Sequence, residues 1–233
     1  MPRGVPLEVY LQLPDHVDVT LARHFWEQAW AALGLPPRGA SLVMSRLGMM
    51  SLDSWLDVPG GADLEKFVLV VAVALSETPA ENSAEAGVAL LLGWAPMAAR
   101  HGLTPIARMH RPVAVRSGGV TEAIKHAGMF GRCGPDQLHH LWQSGLNSVE
   151  KVSLLTGAAQ VGLGAAQTDG FAGVHDIDAA LGSADFASPW LAVSLAVEQA
   201  RQTTAPQLIV CREDVMELAV VQPMGRQPDT ERS

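Results

Sequence analysis

Lysine, tyrosine and cysteine are scarce in this chain. Its 233 residues hold three lysines against thirteen arginines, one tyrosine against six tryptophans, and only two cysteines, Cys133 and Cys211. Two cysteines cannot build a disulfide scaffold, and the count suits a reducing compartment. Charged residues make up 17% and the net charge is −8, the wrong sign for a nucleic-acid surface. Low charge with 48% hydrophobic residues also excludes a disordered chain, which is rich in charge and poor in apolar groups. Long apolar runs are missing too. The longest, Phe67–Leu75 and Val88–Leu92, fall far short of the ~20 residues that a membrane-spanning helix needs. Met1-Pro2-Arg3-Gly4-Val5-Pro6 shows no apolar run followed by a small-residue cleavage site, so no signal peptide is read there. A cytoplasmic protein without a membrane span is the expectation.

What is present is a succession of short apolar segments. Leu7–Leu13 alternates as a half-buried strand and ends at Pro14. Ala22, Phe25, Trp26, Ala29, Trp30 and Leu33 share one helical face, with Gly34 and Pro36-Pro37 as stop signals. Ala40–Ser45 reads as a strand, and the stretch with Met49, Met50 and Trp55 as a weak helix. Phe67–Leu75 is apolar on both faces, as a strand covered on two sides must be. Ala86–Leu92 follows as its hairpin partner.

The second part reads as an extended stretch over Ile106–Val115, helices over Thr121–His126 and Pro135–Gln143, and a strand over Lys151–Leu155. Gly157–Gly173 has no clear period. Ser188 as N-cap and Pro189 at the first turn open a helix. Trp190–Val197 leaves only Ser194 polar, so that helix must be covered all round. Pro206–Cys211 and Met216–Val221 close as two strands, and the tail from Pro223 is polar and loose. The order is β-α-β-(α)-β-β followed by β-α-β-α-β-β. The expectation is an α/β protein whose domain, 1–222, consists of halves of about 1–100 and 101–222, followed by a flexible tail, 223–233.

Two βαβαββ halves enclosing a buried helix resemble the layered α-β-α-β-α thiolase-like sandwich of the ketoacyl synthases. Ala84–Leu92 is similar to the strand that ends the first half in that superfamily. Ala180–Pro189 with the helix after it resembles the superfamily's second-half glycine–histidine passage. A closer resemblance is to the C-terminal region of type VI secretion lipase adaptors. It rests on His110-Arg111-Pro112-Val113, on His175-Asp176-Ile177-Asp178 through Ala180-Leu181-Gly182 to Ala187-Ser188-Pro189-Trp190, and on the closing hairpin Val210–Pro223.

In the thiolase-like family the nucleophilic cysteine sits at a helix N-terminus in the first half, where the dipole lowers its pKa. Residues 1–132 contain no cysteine, and Ser51 and Ser54, near the expected place, have no visible His/Asp partner or G-x-S-x-G setting. The family's second-half histidine should follow Gly182, where this chain has Ser183. The resemblance therefore implies a degenerate form that has lost its enzyme activity.

Cys133, ahead of a predicted helix and followed by His139 and His140, is the remaining nucleophile candidate. The plainer reading is a helix-entry turn with a small half-buried thiol. Cys133, Asp136, His139 and His140 lack the pairwise spacing of a zinc site. Gly157–Gly164 lacks the Gly-Lys-Ser/Thr ending of a phosphate loop and reads as a flexible connection. His110-Arg111-Pro112 reads as a strand end with Arg111 paired to a carboxylate, and secondly as an anion site. His175–Asp178 caps a short helix rather than binding a metal. Met44, Met49, Met50 and Trp55 offer either a soft binding patch or core filling, and Cys211 is core.

No catalytic residue beyond these weak candidates, no cofactor and no metal is expected. The resemblance implies an adaptor that binds a lipase effector and loads it onto a type VI secretion spike protein, with no nucleic acid and a homodimer as a further option. The alternative is an acyl-transferring or acyl-binding thiolase-like enzyme that uses Cys133 or a serine.

Overall fold

The computed structural model describes residues 4–34, 40–43, 46–58, 61, 64–76, 78–116 and 119–224. Pro36-Pro37, Met44 and the tail beyond Met224 lie outside the described residues. The chain divides into two compact units, Met1–Gly102 with Ile177–Leu191, and Leu103–Asp176 with Ala192–Ser233. Each carries its own sheet.

The first unit runs β1 (Leu7–Gln12), α1 (Val19–Ala32), β2 (Ala40–Val43), α2 (Met49–Leu56), β3 (Phe67–Ala74), β4 (Ala86–Gly93) and α3 (Ala95–Arg100). Its sheet has the order β2-β1-β3-β4, with β2, β1 and β3 parallel and β4 antiparallel to β3. Leu7, Val9, Phe67 and Met97 form its core, with Trp26, Trp30 and Trp94 packed against them. Gly93 is required there, because a Cβ would stand 2.7 Å from the Phe67 ring. The Asp18 carboxylate caps α1 by accepting from the Thr20 and Leu21 amides.

The wide apolar face expected of α1 is not buried. Ala22 alone is buried, Trp26 and Trp30 are half-buried, and Phe25 and Leu33 are 58% and 72% exposed. The helix packs through the narrow row 22, 26 and 30, one residue per turn, which leaves the flanking apolar positions outside.

A second stretch of chain completes this unit. It holds α6 (Ile177–Leu181) and the start of α7 (Ser188–Thr203). The Ser183 amide donates to the Asn82 carbonyl and the Ala84 amide to the Ser183 carbonyl, fastening the stretch beside the entry to β4. No residue from Ser188 to Val197 is exposed, as its all-round apolar character requires. Ser188 is already helical, and its Oγ accepts from the Ala184 amide instead of capping from outside.

The second unit contains β5 (Ala107–Met109), β6 (Val113–Ala114), α4 (Gly119–Phe130), β7 (His140–Ser144), α5 (Ser148–Gln160), β8 (Val174–Asp176), β9 (Gln207–Arg212) and β10 (Met216–Pro223). The strand order is β5-β10-β9-β7-β8, with β6 also on β10. Strands β8, β7 and β9 are parallel, and β10 is antiparallel to β9. The order β2-β1-β3-β4 thus recurs as β8-β7-β9-β10 with the same senses. The stretch Ile106–Val115, read as opening the second half, lies instead on the far side of β10.

Two expectations are reversed here. Pro135–Gln143 is helical only over the 3-10 turn Pro135–Gln137, and His140–Ser144 is strand β7. Lys151–Leu155 is not a strand but the middle of α5, which starts at a reciprocal capping box between Asn147 and Glu150. Tertiary pairing overrides local pattern at β7, because Leu141 is fully buried between Val174 and Leu208 in register. Gly157–Gly164, read as a flexible connection, is instead the end of α5 and the packed turn after it. Gly157, Ala158, Leu163, Gly164 and Ala165 are buried, and a Cβ on Gly164 or Gly173 would strike backbone oxygens of Asp136 or His139 at 2.6 and 2.3 Å. Nor does the loose tail begin at Pro223, which ends β10; the Met224 amide donates to the Ile106 carbonyl.

Three substitutions test this packing by urea denaturation. Gly173→Ala should cost about 1–3 kcal/mol through overpacking, and Asn147→Ala about 1 kcal/mol through loss of the cap. Val149→Ala, at a position 78% exposed, should stay within about 0.5 kcal/mol. Equal costs for Gly173→Ala and Val149→Ala would contradict the close backbone approach at Gly173.

Candidate functional site

Side chains alternate along a strand, so His140, Trp142 and Ser144 share one face of β7. Trp142 stands opposite His175 on β8, and His140 opposite Gln207 on β9. This places two imidazoles, an indole and an amide on neighbouring strands. His140 Nδ1 lies 2.9 Å from His175 Nε2, and the His175 ring stacks on Trp142 with centroids 4.1 Å apart. The indole Nε1–H donates to Gln207 Oε1 at 3.2 Å, and the Gln207 amide nitrogen donates onward to the Ala205 carbonyl at 2.9 Å.

Helix α7 sets the tautomers. Its Gln199 presents the amide nitrogen to His140 Nε2 at 3.3 Å. An amide nitrogen only donates, so His140 Nε2 accepts and Nδ1 carries the proton. That proton is donated to His175 Nε2, which leaves His175 protonated at Nδ1. Burial pushes both imidazoles below the ordinary histidine value, helped by the charge of His139 on His140 and of His140 on His175. The pair is therefore neutral near pH 7. On the opposite face of these strands, Gln143 donates to Asp176 Oδ2 at 3.0 Å and Lys151 Nζ meets the same oxygen at 2.6 Å.

The sequence candidates are mostly kept apart. Cys133 follows the C-terminus of α4, its amide donating to the Gly128 carbonyl. It is half-buried against the second unit's core. Burial pushes its thiol up, with the Asp136 charge adding to the effect, opposite to the shift that activates a nucleophile. Among the described residues its thiol hydrogen-bonds neither His139, which is exposed, nor His140. No cluster of three histidine, cysteine or acidic side chains that could hold a metal occurs among the described residues.

In the first unit, Ser51 and Ser54 lie on α2, where Ser54 Oγ donates to the Ser51 carbonyl; neither meets a histidine among the described residues. Met49 at the head of α2 is fully buried, so it fills core. Trp55 lies against Tyr10, with the Lys66 ammonium 5.1 Å from its ring centroid. The carbonyl of Leu47, just before α2, accepts from both Gln12 Nε2 and Trp190 Nε1. Ser183 is exposed, with its backbone committed to Asn82 and Ala84. Cys211 is buried and accepts from Ser144 Oγ at 3.3 Å.

His175, Trp142, Gln199 and Gln207 escaped sequence reasoning as a group. They lie on three strands and a helix, up to 65 residues apart, and a helical reading of Pro135–Gln143 hides which side of β7 each residue takes.

No protein-family model matches the chain, and no curated protein matches it. Solved structures do. An oxazolomycin ketosynthase domain of Streptomyces albus JA3453 aligns with 96% of this chain and 74% of its own at a TM-score of 0.59 and 15% identity. Xanthomonas campestris OleA bound with cerulenin gives 0.56 at 12% identity, covering 94% and 73%. The 3-oxoacyl-[acyl-carrier-protein] synthase III of Aquifex aeolicus VF5 gives 0.52 at 11%, covering 94% and 77%. The chain has the thiolase-like fold of the ketosynthases. Among the described residues no helix is long and apolar enough to cross a membrane.

Two measurements follow. Iodoacetamide should label Cys133 in the folded protein more slowly near neutral pH than a free cysteine thiol. A histidine whose value is lowered by folding binds protons more readily when unfolded, so stability present above the unfolded value near ~6.5 is lost as pH falls through it. Thermal melts should accordingly drop below about pH 6.5, and His175→Phe should make that drop shallower without abolishing it, since His110 is lowered as well. An unchanged pH slope in His175→Phe would exclude the pair as its source.

Proposed function

We propose that the chain is a ketosynthase-fold protein that has given up the ketosynthase reaction and works as a cytoplasmic adaptor for a protein partner. The distribution of thiols carries the reading. Residues 1–132 have no cysteine, and the helix at the first-half position, α2, opens on a buried methionine. The nearest substitute, Cys133, lies after the end of α4 and has a raised thiol. A serine follows Gly182 where the family's histidine would stand.

The partner comes from the resemblance carried by His110–Val113, His175–Asp178 and Ala180–Trp190: a lipase effector, delivered to a type VI secretion spike protein. The full chain should co-purify with a lipase effector and a type VI secretion spike protein expressed beside it. Failure to bind either at roughly micromolar concentration would count against the adaptor.

A second reading, an acyl-binding protein, is favoured by the fold neighbour OleA, which has been seen with bound lauric acid and lauroyl-CoA, and by the half-buried His140–His175 pair. Native mass spectrometry separates the two. A bound or covalent acyl group would favour the second reading, and protein at its bare mass the first.

A further inference from the structure

Seven of the described cations, Arg46, Lys66, Arg100, Lys125, Lys151, Arg201 and Arg212, each meet a carboxylate. Arg108 and Arg132 form no ion pair among the described residues, and both are exposed. They are also neighbours. Arg108 on β5 stands opposite Gln222 on β10. The Gln222 side chain bonds His110 Nε2 at 3.0 Å and donates to the carbonyl of Gly131, the residue before Arg132. Both arginines reach His110 electrostatically and, after burial, help lower its pKa.

Positive charge is in excess along this stretch. Residues 103–136 hold five arginines and lysines against two acidic residues, Glu122 and Asp136, in a protein whose net charge is −8. The same edge exposes apolar side chains: Ile106 is 63% exposed, Met129 62% and Phe130 37%. Arginine, methionine and aromatic residues are the types enriched where proteins bind proteins, and lysine is depleted there. Arg132 sits at φ +51° just past α4, a left-handed position that glycine ordinarily fills.

We propose that this edge, Arg108 with His110, Arg132 and the flanking Ile106, Met129 and Phe130, docks an acidic segment of a protein partner that also carries apolar side chains. Unpaired arginines supply charge complementarity, and the exposed apolar groups reward a peptide over a bare anion. The acidic remainder of the chain repels nucleic acid. The proposal deepens the adaptor reading and rests on it for the kind of partner.

The test uses fluorescence anisotropy on the full chain, with a labelled peptide of Glu, Ala and Leu in helical spacing as probe. Polyglutamate of equal length is the comparator. The expected result is roughly micromolar binding of the mixed peptide, about tenfold weaker binding of polyglutamate, and weakening with added salt. The Arg108→Glu/Arg132→Glu double variant should lose about tenfold. Arg132→Gly should lose severalfold while its Tm holds or rises, because glycine suits the left-handed backbone.

Unchanged affinity in the double variant would overturn the proposal. So would equal binding of polyglutamate, or equal binding of phosphatidylserine vesicles or a single-stranded oligonucleotide. Failure of the adaptor reading is distinguishable. A chain that binds the peptide but no lipase keeps the surface and loses the named partner, whereas lipase binding that survives the double reversal keeps the adaptor and discards the surface.

Discussion

The second unit hangs on β7. This five-residue strand is paired in parallel on both sides, to β8 and β9, and parallel pairing demands that both of its faces be covered. One face delivers Leu141 to the core shared with Ile124, Leu154 and Leu208. The other carries the half-buried His140 and Trp142, whose polar atoms find partners sideways on the neighbouring strands and on α7. His175, Gln199 and Gln207 supply them. The hydrogen-bonded cluster is thus a consequence of where β7 sits, and the neutral state of its imidazoles follows from the same burial. The glycines at 164 and 173 are tied to the same strand, since they admit backbone against the residues that lead into it.

Strong, self-contained patterns were legible in the sequence. The hairpin β3–β4, the closing hairpin β9–β10 and the wholly apolar α7 announce themselves through apolar runs and through Ser188-Pro189, and together they suffice for the fold class. What failed was wherever long-range pairing decides. His140–Ser144 has no clean alternation, because Gln143 is buried beside Leu141, so nothing local marks it as a strand. The signal for α5 was present in Asn147 and Glu150, but the polar–apolar alternation of Lys151-Val152-Ser153-Leu154 outweighed it. On α1 the helical period was right and the depth of burial wrong, since a row one residue wide is enough to seat it.

The candidate site was less legible than the fold. His140 was singled out for its nearness in sequence to Cys133, yet its partner is His175, on the adjacent strand. Asp176, singled out with His175, faces away from the pair and holds Lys151 and Gln143 instead. Arg108 and Arg132 gave no motif at all. What brings them together is their shared approach to His110 from β5 and from the end of α4, a property of three-dimensional placement that spacing along a chain does not encode.

The first unit is assembled from two separated lengths of chain, Met1–Gly102 and Ile177–Leu191. The Leu47 carbonyl ahead of α2 waits for Trp190, and the entry to β4 waits for Ser183. On the ribosome, then, the half that is made first cannot be the half that is finished first. Its strands emerge with an open flank, and that flank closes only after most of the second unit has been synthesised. Cutting the polypeptide at its midpoint would therefore yield an N-terminal fragment lacking part of its own fold.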